Sequence, residues 1–518
     1  MPKFTDTTNV LRKIDLVSAL QYGTAQGYPP LYQFLTEFTR QHLHPNVPYK
    51  GGPEIILTVG NTDGFSKCVQ AFAEPWHEGE DPLSERQGCL CEEYAYMNAI
   101  QQIRPQGLNI VPVGMDDEGM RAEGPGGLRD LLENWDFNKG KMPHIMYTVT
   151  YVEDCAMDSD SMLIHLYSIG QNPTGGVLSI QRRKQIYALC SKYDILICED
   201  DPYWYLQYPG QDCEPSNYNT MNGGRSSGYP YLDSLVPSYL SVDTDGRVIR
   251  MDTFSKTVAP GCRLGWLTAQ PAIVERILRI TETSTQQPSG FVQAMIAELI
   301  MGPPDGPKNG TGGLKDGKGW SFDGWVRWLE GLRGEYQRRM ETMCAILTDG
   351  KTIMKSGRRA SLSQMTADLS VLHDGRETED WAVIEQTKMY DFVRPRGGMF
   401  LWVRFNFASH PLAKQVSGPR LARALWIYFT TEPYKVLCGP GTMFAPNAEI
   451  AQRDAWECFR LCFAAAETQD IEGYSKRWVK AVKGFWRIKD KSVIDDLLKD
   501  DETAPEAVDG MASLMGFC

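Results

Sequence analysis

The sequence predicts an α/β protein, with a mostly parallel sheet in a large domain and a smaller α+β domain after it. Between about residues 50 and 320, short apolar runs alternate with helical patterns, which is typical of parallel strands joined by crossover helices. After about residue 320, the pattern changes to one long amphipathic helix followed by short strands. We therefore expect a second domain to begin near that point.

The first predicted unit of the sheet lies near the N-terminus. Glu54–Val59 predicts a buried strand, Gly60–Gly64 a turn, and Phe65–Phe72 the first part of a helix. Three apolar runs further along the chain predict more strands, namely Ile195–Cys198, Val248–Thr253 and Leu264–Thr268.

A helix is predicted just before the first of those three strands. It covers Gln181–Lys192, and Ser179 is its expected N-cap, because a serine hydroxyl can accept a hydrogen bond from the free N–H groups of the first turn. In the second domain we expect the long helix Trp325–Leu347 and the strands Met399–Phe405 and Phe459–Ala464.

Four stretches predict irregular structure, and one of them, the insert Tyr151–Ile169, is described further below. Leu206–Asp233 is rich in Pro, Gly, Asn and Ser, and Gly302–Gly319 is rich in Gly, so both are expected to be loops. Ile488–Cys518 is acidic and is expected to be a mobile tail.

The composition excludes several classes of protein. The 518 residues are 42% apolar and 23% charged, which are values of globular proteins and not of disordered chains. Fifty-three basic and 65 acidic side chains give a net charge of −12, whereas non-specific nucleic-acid binding needs a basic surface. No run of about 18 apolar residues is present, so we expect no membrane span.

The N-terminus and the cysteines favour a cytoplasmic protein. The first twenty residues have no apolar core and no small-residue cleavage site, so they do not resemble a secretory signal. The 13 cysteines are scattered without a CxxC pair, which favours reduced, buried thiols over disulfides. The seven histidines form no HExxH or Cys/His cluster, so no metal site is expected.

The most informative motif is Thr253–Trp266, TFSKTVAPGCRLGW. Lys256 can form a Schiff base with an aldehyde. Ser255 and Arg263 can hold a dianionic phosphate, because arginine makes forked, charge-assisted contacts with it. Taken alone, this segment also leaves open an ordinary surface lysine in a turn.

Three other polar clusters follow predicted strands. They are QNPTG at Gln171–Gly175, DDPY at Asp200–Tyr203 and GNTDG at Gly60–Gly64, the last of which opens a helix whose N-terminal amides suit a phosphate. Ligands of α/β sheets bind at the carboxyl ends of the strands. The four clusters therefore predict one shared ligand site.

The set QNPTG, EDDPY, TFSK and RLGW resembles the pyridoxal-phosphate-dependent aminotransferases of fold type I, class I and II. Over about residues 15–485, longer stretches such as GWVRWLEGLR, PRGGMFLWV and FRLCFAA are similar to fungal aromatic-amino-acid and 2-aminoadipate aminotransferases and to kynurenine/2-aminoadipate aminotransferase. The resemblance implies a seven-stranded, mostly parallel sheet in the large domain. It also implies four segments: an N-terminal segment 1–50 that packs with the small domain, a large cofactor-binding domain 51–320, a small domain 321–487, and the acidic tail 488–518.

The resemblance assigns roles around the ring of pyridoxal phosphate. Lys256 would be the Schiff-base lysine and proton shuttle, and Asp200 would pair with the ring nitrogen. Tyr203 and Asn172 would hydrogen-bond the ring oxygen, and Asn172 would also contact the substrate. Tyr96 would stack on the ring, although a purely structural place in the core remains open for it.

The resemblance also assigns residues to the phosphate and to the substrate. The residues that would hold the phosphate are Asn61, Thr62, Ser255 and Arg263. Tyr22 would reach the phosphate of the other subunit of a homodimer. Arg460 would bind the substrate α-carboxylate, with a structural ion pair as its alternative.

The implied reaction is transamination of an aromatic amino acid or 2-aminoadipate with 2-oxoglutarate. Decarboxylation or β-elimination with the same cofactor is an alternative, because sequence barely separates these reactions. An impaired or inactive chain is another. A transcription regulator with an aminotransferase-like domain is opposed by the net charge of −12 and by the few residues, about 15, before the matching region.

The sequence departs from the family in two places. The family's N-terminal L-x-G-G-x-P-x-P segment, which lies over the substrate, is missing from it. The strand before QNPTG occurs twice, as MYTVT at 146–150 and as LYSIG at 166–170. We expect Leu166–Ile169 to take the strand position and residues 151–165 to loop out.

Overall fold

The computed structural model describes residues 16–116, 118–149, 171–174, 178–209, 217–220, 223–301, 321–355 and 385–502. The expected insert 151–169 and the Gly-rich stretch 302–319 lie outside these ranges. Within the described ranges, no helix has both the length and the apolar character needed to cross a membrane.

The chain divides into two compact units. The first comprises Met1–Met340, Val393–Leu401 and Thr442–Ala451, and the second comprises Glu341–Phe392, Trp402–Gly441 and Gln452–Cys518. This division into compact units does not test the domain boundaries expected from the sequence, which stay a prediction.

A seven-stranded sheet lies at the centre of the first unit. The strands of this unit are β1 (Glu54–Thr58), β2 (Gly88–Glu92), β3 (Asn109–Val113), the small hairpin β4 (Met115–Asp116) and β5 (Gly119–Met120), β6 (Ile145–Thr148), β7 (Leu196–Asp200), β8 (Val248–Thr253) and β9 (Gly265–Ala269). The sheet order is β1–β9–β8–β7–β6–β2–β3. Strand β9 runs antiparallel to both neighbours, and the other six strands are parallel to one another. The predicted mostly parallel sheet is confirmed.

Helices cover both faces of this sheet. In chain order they are α1 (Leu16–Ala19), α2 (Pro29–Phe38), α3 (Asn61–Phe72), α4 (Met97–Ile103), α5 (Leu128–Glu133), α6 (Ile180–Lys192), α7 (Pro230–Asp233), α8 (Pro271–Thr283), α9 (Gly290–Ile300) and α10 (Asp323–Gly350). Successive strand residues point to opposite faces, so Cys89 and Cys91 pack with α3, α4 and α8, whereas Leu90 packs with α5 and α6. Burial on both faces explains the continuous apolar runs in the sequence.

The elements after α10 that lie in the described ranges form smaller sheets and four helices. They are β10 (Thr352–Lys355), β11 (Glu385–Lys388), β12 (Tyr390–Phe392), β13 (Phe400–Phe405), α11 (Gly418–Thr430), β14 (Gly439–Pro440), α12 (Ala448–Arg453), β15 (Cys458–Cys462), α13 (Thr468–Phe485) and α14 (Lys491–Glu502). Strands β12–β13–β15–β14 form a four-stranded sheet, and β10 pairs with β11. Phe429 of α11 stacks on Trp478 of α13, with ring centroids 5.6 Å apart, in an aromatic core.

The strand between β2 and β7 is Ile145–Thr148, so the prediction that Leu166–Ile169 takes this position is wrong. Met146 pairs with Leu90 on one side and with Ile197 on the other. The two runs have similar local patterns. The run at 145–148 is favoured because it pairs with both neighbouring strands. Its polar side chains also make buried hydrogen bonds at the end of the strand.

Helix α3 begins at Asn61, four residues earlier than predicted. The chain turns at Gly60, whose φ is 93°, a backbone conformation that glycine adopts readily. The Asp63 carboxylate accepts a hydrogen bond from the Val59 N–H at 2.9 Å, which closes the turn. By contrast, the N-cap predicted for α6 is confirmed, because Ser179 Oγ accepts the Arg182 N–H at 3.0 Å.

Helix α14 (Lys491–Glu502) lies within the expected mobile tail 488–518, which corrects the prediction for these residues. Residues 503–518 lie outside the described ranges. Ile494 and Leu498, four residues apart, are buried against the rest of the second unit, and α14 contacts α11. Arg420 of α11 bonds Asp495 at 3.0 Å. The high acidic content hid an apolar stripe, because Asp495 and Asp496 lie on the more exposed faces of an amphipathic helix.

Candidate active site

The predicted site residues of the first unit gather at one edge of the sheet. Asn61 follows β1, Asp200 ends β7, and Ser255 and Lys256 follow β8. Arg263 comes just before β9, which runs in the opposite direction, so it lies at the same edge. This is the edge formed by the carboxyl ends of the parallel strands, where sheets of this class bind ligands.

The Asp200 carboxylate is buried and accepts a hydrogen bond on each oxygen. Asn61 Nδ2 donates to Oδ1 at 2.6 Å, and the Tyr147 hydroxyl donates to Oδ2 at 2.7 Å. Burial raises the pKa of Asp200 above its ordinary value, while these two bonds and the positive charges of Lys256 and Arg250 oppose that rise. A buried carboxylate with donors on both oxygens is suited to hold a further cationic N–H group.

A basic cluster lies beside the turn before α3. Arg263 Nη1 donates to Ser255 Oγ at 3.2 Å, and Arg263 Nη2 donates to the Val59 carbonyl at 3.4 Å. A Cβ atom at Gly60 would lie 2.8 Å from Arg263 Nη2, so the absence of a side chain there admits the guanidinium. Together with the N-terminal amides of the 12-residue helix α3, this arrangement suits a phosphate.

A buried lysine, Lys67, fixes the turn before α3 through Asp63. Lys67 Nζ donates to Asp63 Oδ2 at 2.7 Å and to Thr285 Oγ1 at 2.9 Å. Because the same Asp63 oxygen accepts the Val59 N–H, the lysine holds the turn in one conformation. Thr62, the next residue of the predicted phosphate site, is exposed to solvent at the start of the helix.

Lys256 is half-buried near Asp200 and Tyr203 of the DDPY motif. Its Nζ atom lies 5.8 Å from the ring centroid of Tyr203. The Tyr203 ring is 5% exposed and packs edge-on against Phe400, with centroids 5.6 Å apart. The positive charge of Lys256 also stabilises the Asp200 anion. The structure thus brings Lys256, Asp200 and Tyr203 together, as the sequence predicted.

The turn that carries Asn172 is tied to the segment that carries Tyr96 by one buried amide. Gln171 Nε2 donates to the Tyr94 carbonyl at 2.7 Å, and Gln171 Oε1 accepts the Thr174 N–H at 3.1 Å. Asn172 is 6% exposed. Sequence reasoning treated Gln171 only as a letter of the QNPTG motif, although a fully buried polar side chain in a loop implies bonds to more than one segment.

A second buried carboxylate, which the sequence analysis missed, lies at the end of β2. Glu92 Oε1 accepts the Thr148 hydroxyl at 2.7 Å and the Val149 N–H at 3.1 Å. Its other oxygen has no hydrogen bond within the described part of the chain. Burial raises the pKa of Glu92 to about 7. Tyr147 was missed as well; the signal for both was a polar side chain at the end of an otherwise apolar strand.

Two predicted residues lie apart from this cluster along the chain. Tyr22 follows α1 and is 94% exposed, which leaves its hydroxyl accessible to another molecule. Arg460 lies on β15 in the second unit, where it pairs with Gly439 of β14. Its predicted contact with the substrate stays a prediction.

Comparison with known proteins identifies the family to which the chain belongs. The family described as aminotransferase class I and II matches residues 162–357. An aromatic amino acid aminotransferase of Schizosaccharomyces pombe is 37% identical over 92% of this chain and 81% of its own length. The chain belongs to the class I and II aminotransferases.

Further relatives of this aminotransferase agree. An L-tyrosine:2-oxoglutarate aminotransferase of Serpula lacrymans is 31% identical over 85% of this chain and 68% of its own length. The crystal structure of aminotransferase Aro8 from Candida albicans superposes with a TM-score of 0.66 and 28% identity, covering 93% of this chain and 83% of that one. The chain is therefore an enzyme of the aminotransferase class, and the regulator considered above is not supported.

Aminotransferases of this family use pyridoxal phosphate, and the donor set at the sheet edge fits it. Lys256 would supply an amine for its aldehyde, and Asp200 would supply a buried anion for its ring nitrogen. Arg263, Ser255 and the amides of α3 would supply cationic and neutral donors for its phosphate. The aldehyde, the ring nitrogen and the phosphate would thus each find a matching group at one edge of one sheet.

Proposed function

We propose that this aminotransferase moves the amino group of an aromatic amino acid to 2-oxoglutarate. The observation that supports the reaction is the meeting of Lys256, Asp200 and Arg263 at one sheet edge. The printed names of the relatives from Schizosaccharomyces pombe and Serpula lacrymans support the aromatic substrate and the acceptor. The overall reaction is balanced, because the oxo acid and glutamate are its two products.

In the proposed mechanism, the bound cofactor supplies an electron sink for the negative charge that develops at the substrate Cα. Lys256 Nζ would take the proton from Cα as a general base and would then, as a general acid, deliver it to C4′, the aldehyde carbon of the cofactor. Asp200 holds the ring nitrogen in its cationic form by charge and hydrogen bonding. Arg263 and Ser255 fix the phosphate so that the reacting atoms stay within reach of Lys256.

The remaining roles are also proposals. Asn172 and Tyr203 would bind the ring oxygen, Tyr96 would stack on the ring, and Arg460 would bind the substrate α-carboxylate with a forked pair of bonds. Asn61 and Thr62 would offer their backbone amides to the phosphate. Within the described ranges the cysteines are in the reduced form and nearly all buried, which supports the proposed cytoplasmic location.

A substrate survey tests the proposed function. The purified enzyme with pyridoxal phosphate and 2-oxoglutarate is supplied in turn with Phe, Tyr, Trp, kynurenine and 2-aminoadipate, and glutamate is measured. We expect the highest kcat/KM with Phe or Tyr. A clear preference for 2-aminoadipate would contradict the aromatic assignment, and release of CO₂ or ammonia without glutamate would contradict transamination. Reactions without added amino acid give the background.

We further propose that the enzyme is a homodimer, and an apolar stripe on α9 supports this. Phe291, Met295 and Leu299 follow one another at intervals of four residues and are 53%, 46% and 62% exposed. The neighbouring helix α1 adds Val17, which is 76% exposed, so the two helices carry one exposed apolar surface. A second copy of the chain would remove this surface from water.

We predict that Leu299→Asp converts the dimer to a monomer, because it places a charge in an apolar interface. Light scattering after gel filtration should change from twice the 58.3 kDa chain mass to that mass. Phe137→Asp is the matched control, since Phe137 is 67% exposed outside the stripe. Wild-type enzyme that is monomeric at micromolar concentration, or an L299D variant that stays dimeric, would contradict the proposal.

A further inference from the structure

The side chain of Asn61 donates a hydrogen bond to the Asp200 carboxylate. One Nδ2 atom carries two hydrogens, and it donates to Asp200 Oδ1 at 2.6 Å and to the Met251 carbonyl at 3.1 Å. Both N–H groups are therefore committed, and the side chain has no donor left for a phosphate. The expectation that Asn61 holds the phosphate is thus restricted to its backbone amide.

Tyr147 provides the second fixed donor. Its ring is fully buried and packs on Phe65, with centroids 4.8 Å apart, while its hydroxyl donates to Asp200 Oδ2 at 2.7 Å. Burial and the nearby Asp200 charge raise the pKa of Tyr147 well above its ordinary value. The hydroxyl therefore stays protonated and can act only as a donor towards this carboxylate.

The two donors approach from different elements, which makes the arrangement rigid. Asn61 lies at the first turn of α3 and Tyr147 on β6, next to β7, whose last residue is Asp200. One neutral bond on each oxygen fixes rotation of the carboxylate about its Cβ–Cγ bond. Asp200 is 8% exposed, so water does little to replace either donor.

We propose that Asn61 and Tyr147 are positioning residues that orient the Asp200 carboxylate for the ring nitrogen of the cofactor. This inference rests on the proposed role of Asp200. It gives the side chain of Asn61 a task other than the phosphate contact expected above, and it adds Tyr147, to which the family resemblance assigned no role. Neither residue touches the reacting atoms, and both act through Asp200. Loss of either bond should free one carboxylate oxygen and make Asp200 a weaker partner for a cationic ring.

Tyr147→Phe tests the inference without disturbing packing, because it removes one oxygen and keeps the ring. Tyr239→Phe is the matched control. Tyr239 is equally buried on the same unit, and its hydroxyl has no hydrogen bond within the described residues. Asn61→Ala removes the other donor, and Asp200→Asn gives the effect of losing the charge itself.

The main readout is the dissociation constant for pyridoxal phosphate, measured by equilibrium dialysis, with the visible absorbance of the bound cofactor recorded against pH. We expect Y147F and N61A each to weaken binding by about tenfold, as loss of a bond to a charged group should. Both should also shift the absorbance titration in the direction seen with D200N. The Y239F variant should bind and titrate like wild type.

Two results would overturn the inference: wild-type cofactor affinity and titration in Y147F and N61A, or changes in Y239F as large as in Y147F. Thermal unfolding of the apo forms checks folding, and Y147F carries the test alone if N61A does not fold. Failure of the proposed function looks different. If the proposed reaction is wrong, wild-type enzyme would bind the cofactor without forming glutamate. If the proposed role of Asp200 is wrong, the D200N variant would bind the cofactor with wild-type affinity.

Discussion

Replacing Lys256 by alanine is expected to lower kcat for glutamate formation by at least about 10²–10⁴-fold, the usual contribution of a positioned general acid–base group. Lys256 is the lysine that lies beside Tyr203 and Asp200 at the carboxyl edge of the sheet. Without its amine, no group at this edge that we assign a role can both bind an aldehyde and carry a proton to and from Cα. Turnover is measured with the best amino acid of the substrate survey.

A second readout identifies the lysine directly. Borohydride reduction of the wild-type enzyme with its cofactor, followed by mass spectrometry, should place the label on the peptide that contains Lys256. Lys192→Ala is the control, because Lys192 lies at the end of α6 and stacks on Tyr193, away from the cluster. Full turnover in K256A, or label on another lysine in the wild type, would show the assignment to be wrong.

Replacing Arg250 by methionine is expected to destabilise the enzyme strongly. Arg250 is fully buried on β8, where it bonds Asp252 at 3.0 Å, Asp201 at 3.3 Å and Glu199 at 3.4 Å. The face of the guanidinium lies 5.0 Å from the Trp204 ring centroid. Removing the cation that contacts Asp252, Asp201 and Glu199 takes a shared ion pair from three buried acidic groups, which costs about 3–5 kcal/mol.

The measurement is the Tm of the holoenzyme at one fixed scan rate, because a chain of this size need not unfold reversibly. We expect R250M to lower the Tm by roughly 3–5 °C, because the unfolding entropy of a chain of this length is about 1.1 kcal/mol/K. Arg129→Met is the matched control, since Arg129 bonds Glu123 and Glu133 at the surface. Its Tm should stay at the wild-type value, because exposed ion pairs contribute little. Equal Tm values for R250M and R129M would contradict this account of the cluster.

The strand-end motifs were predictable because their chemistry and their place follow from the same local pattern. Lys256 follows the short run Val248–Thr253, which was predicted to be a strand, and Asp200 ends another strand. Parallel strands bring such ends together whatever the order of the strands in the sheet. Arg263 came with them because only eleven residues separate β8 from β9.

Other features depended on choices between alternatives that look equal along the chain. Two apolar runs, 146–150 and 166–170, had the pattern of a strand, and the structure placed Ile145–Thr148 in the sheet. The acidic stretch after residue 488 read as a tail, yet Ile494 and Leu498 bury one face of a helix. In both cases the decision depends on contacts with distant elements, which no local window contains.

The sequence by itself determined the fold class, the family resemblance and the lysine, aspartate and arginine of the candidate site, because each depends on residue types at short spacing. Only the tertiary structure decided what holds Asp200, since Asn61 and Tyr147 reach it across 139 and 53 residues of chain. Sheet order and strand register set those distances. They are properties of the whole packed sheet, and they are fixed only when all its strands have found their partners.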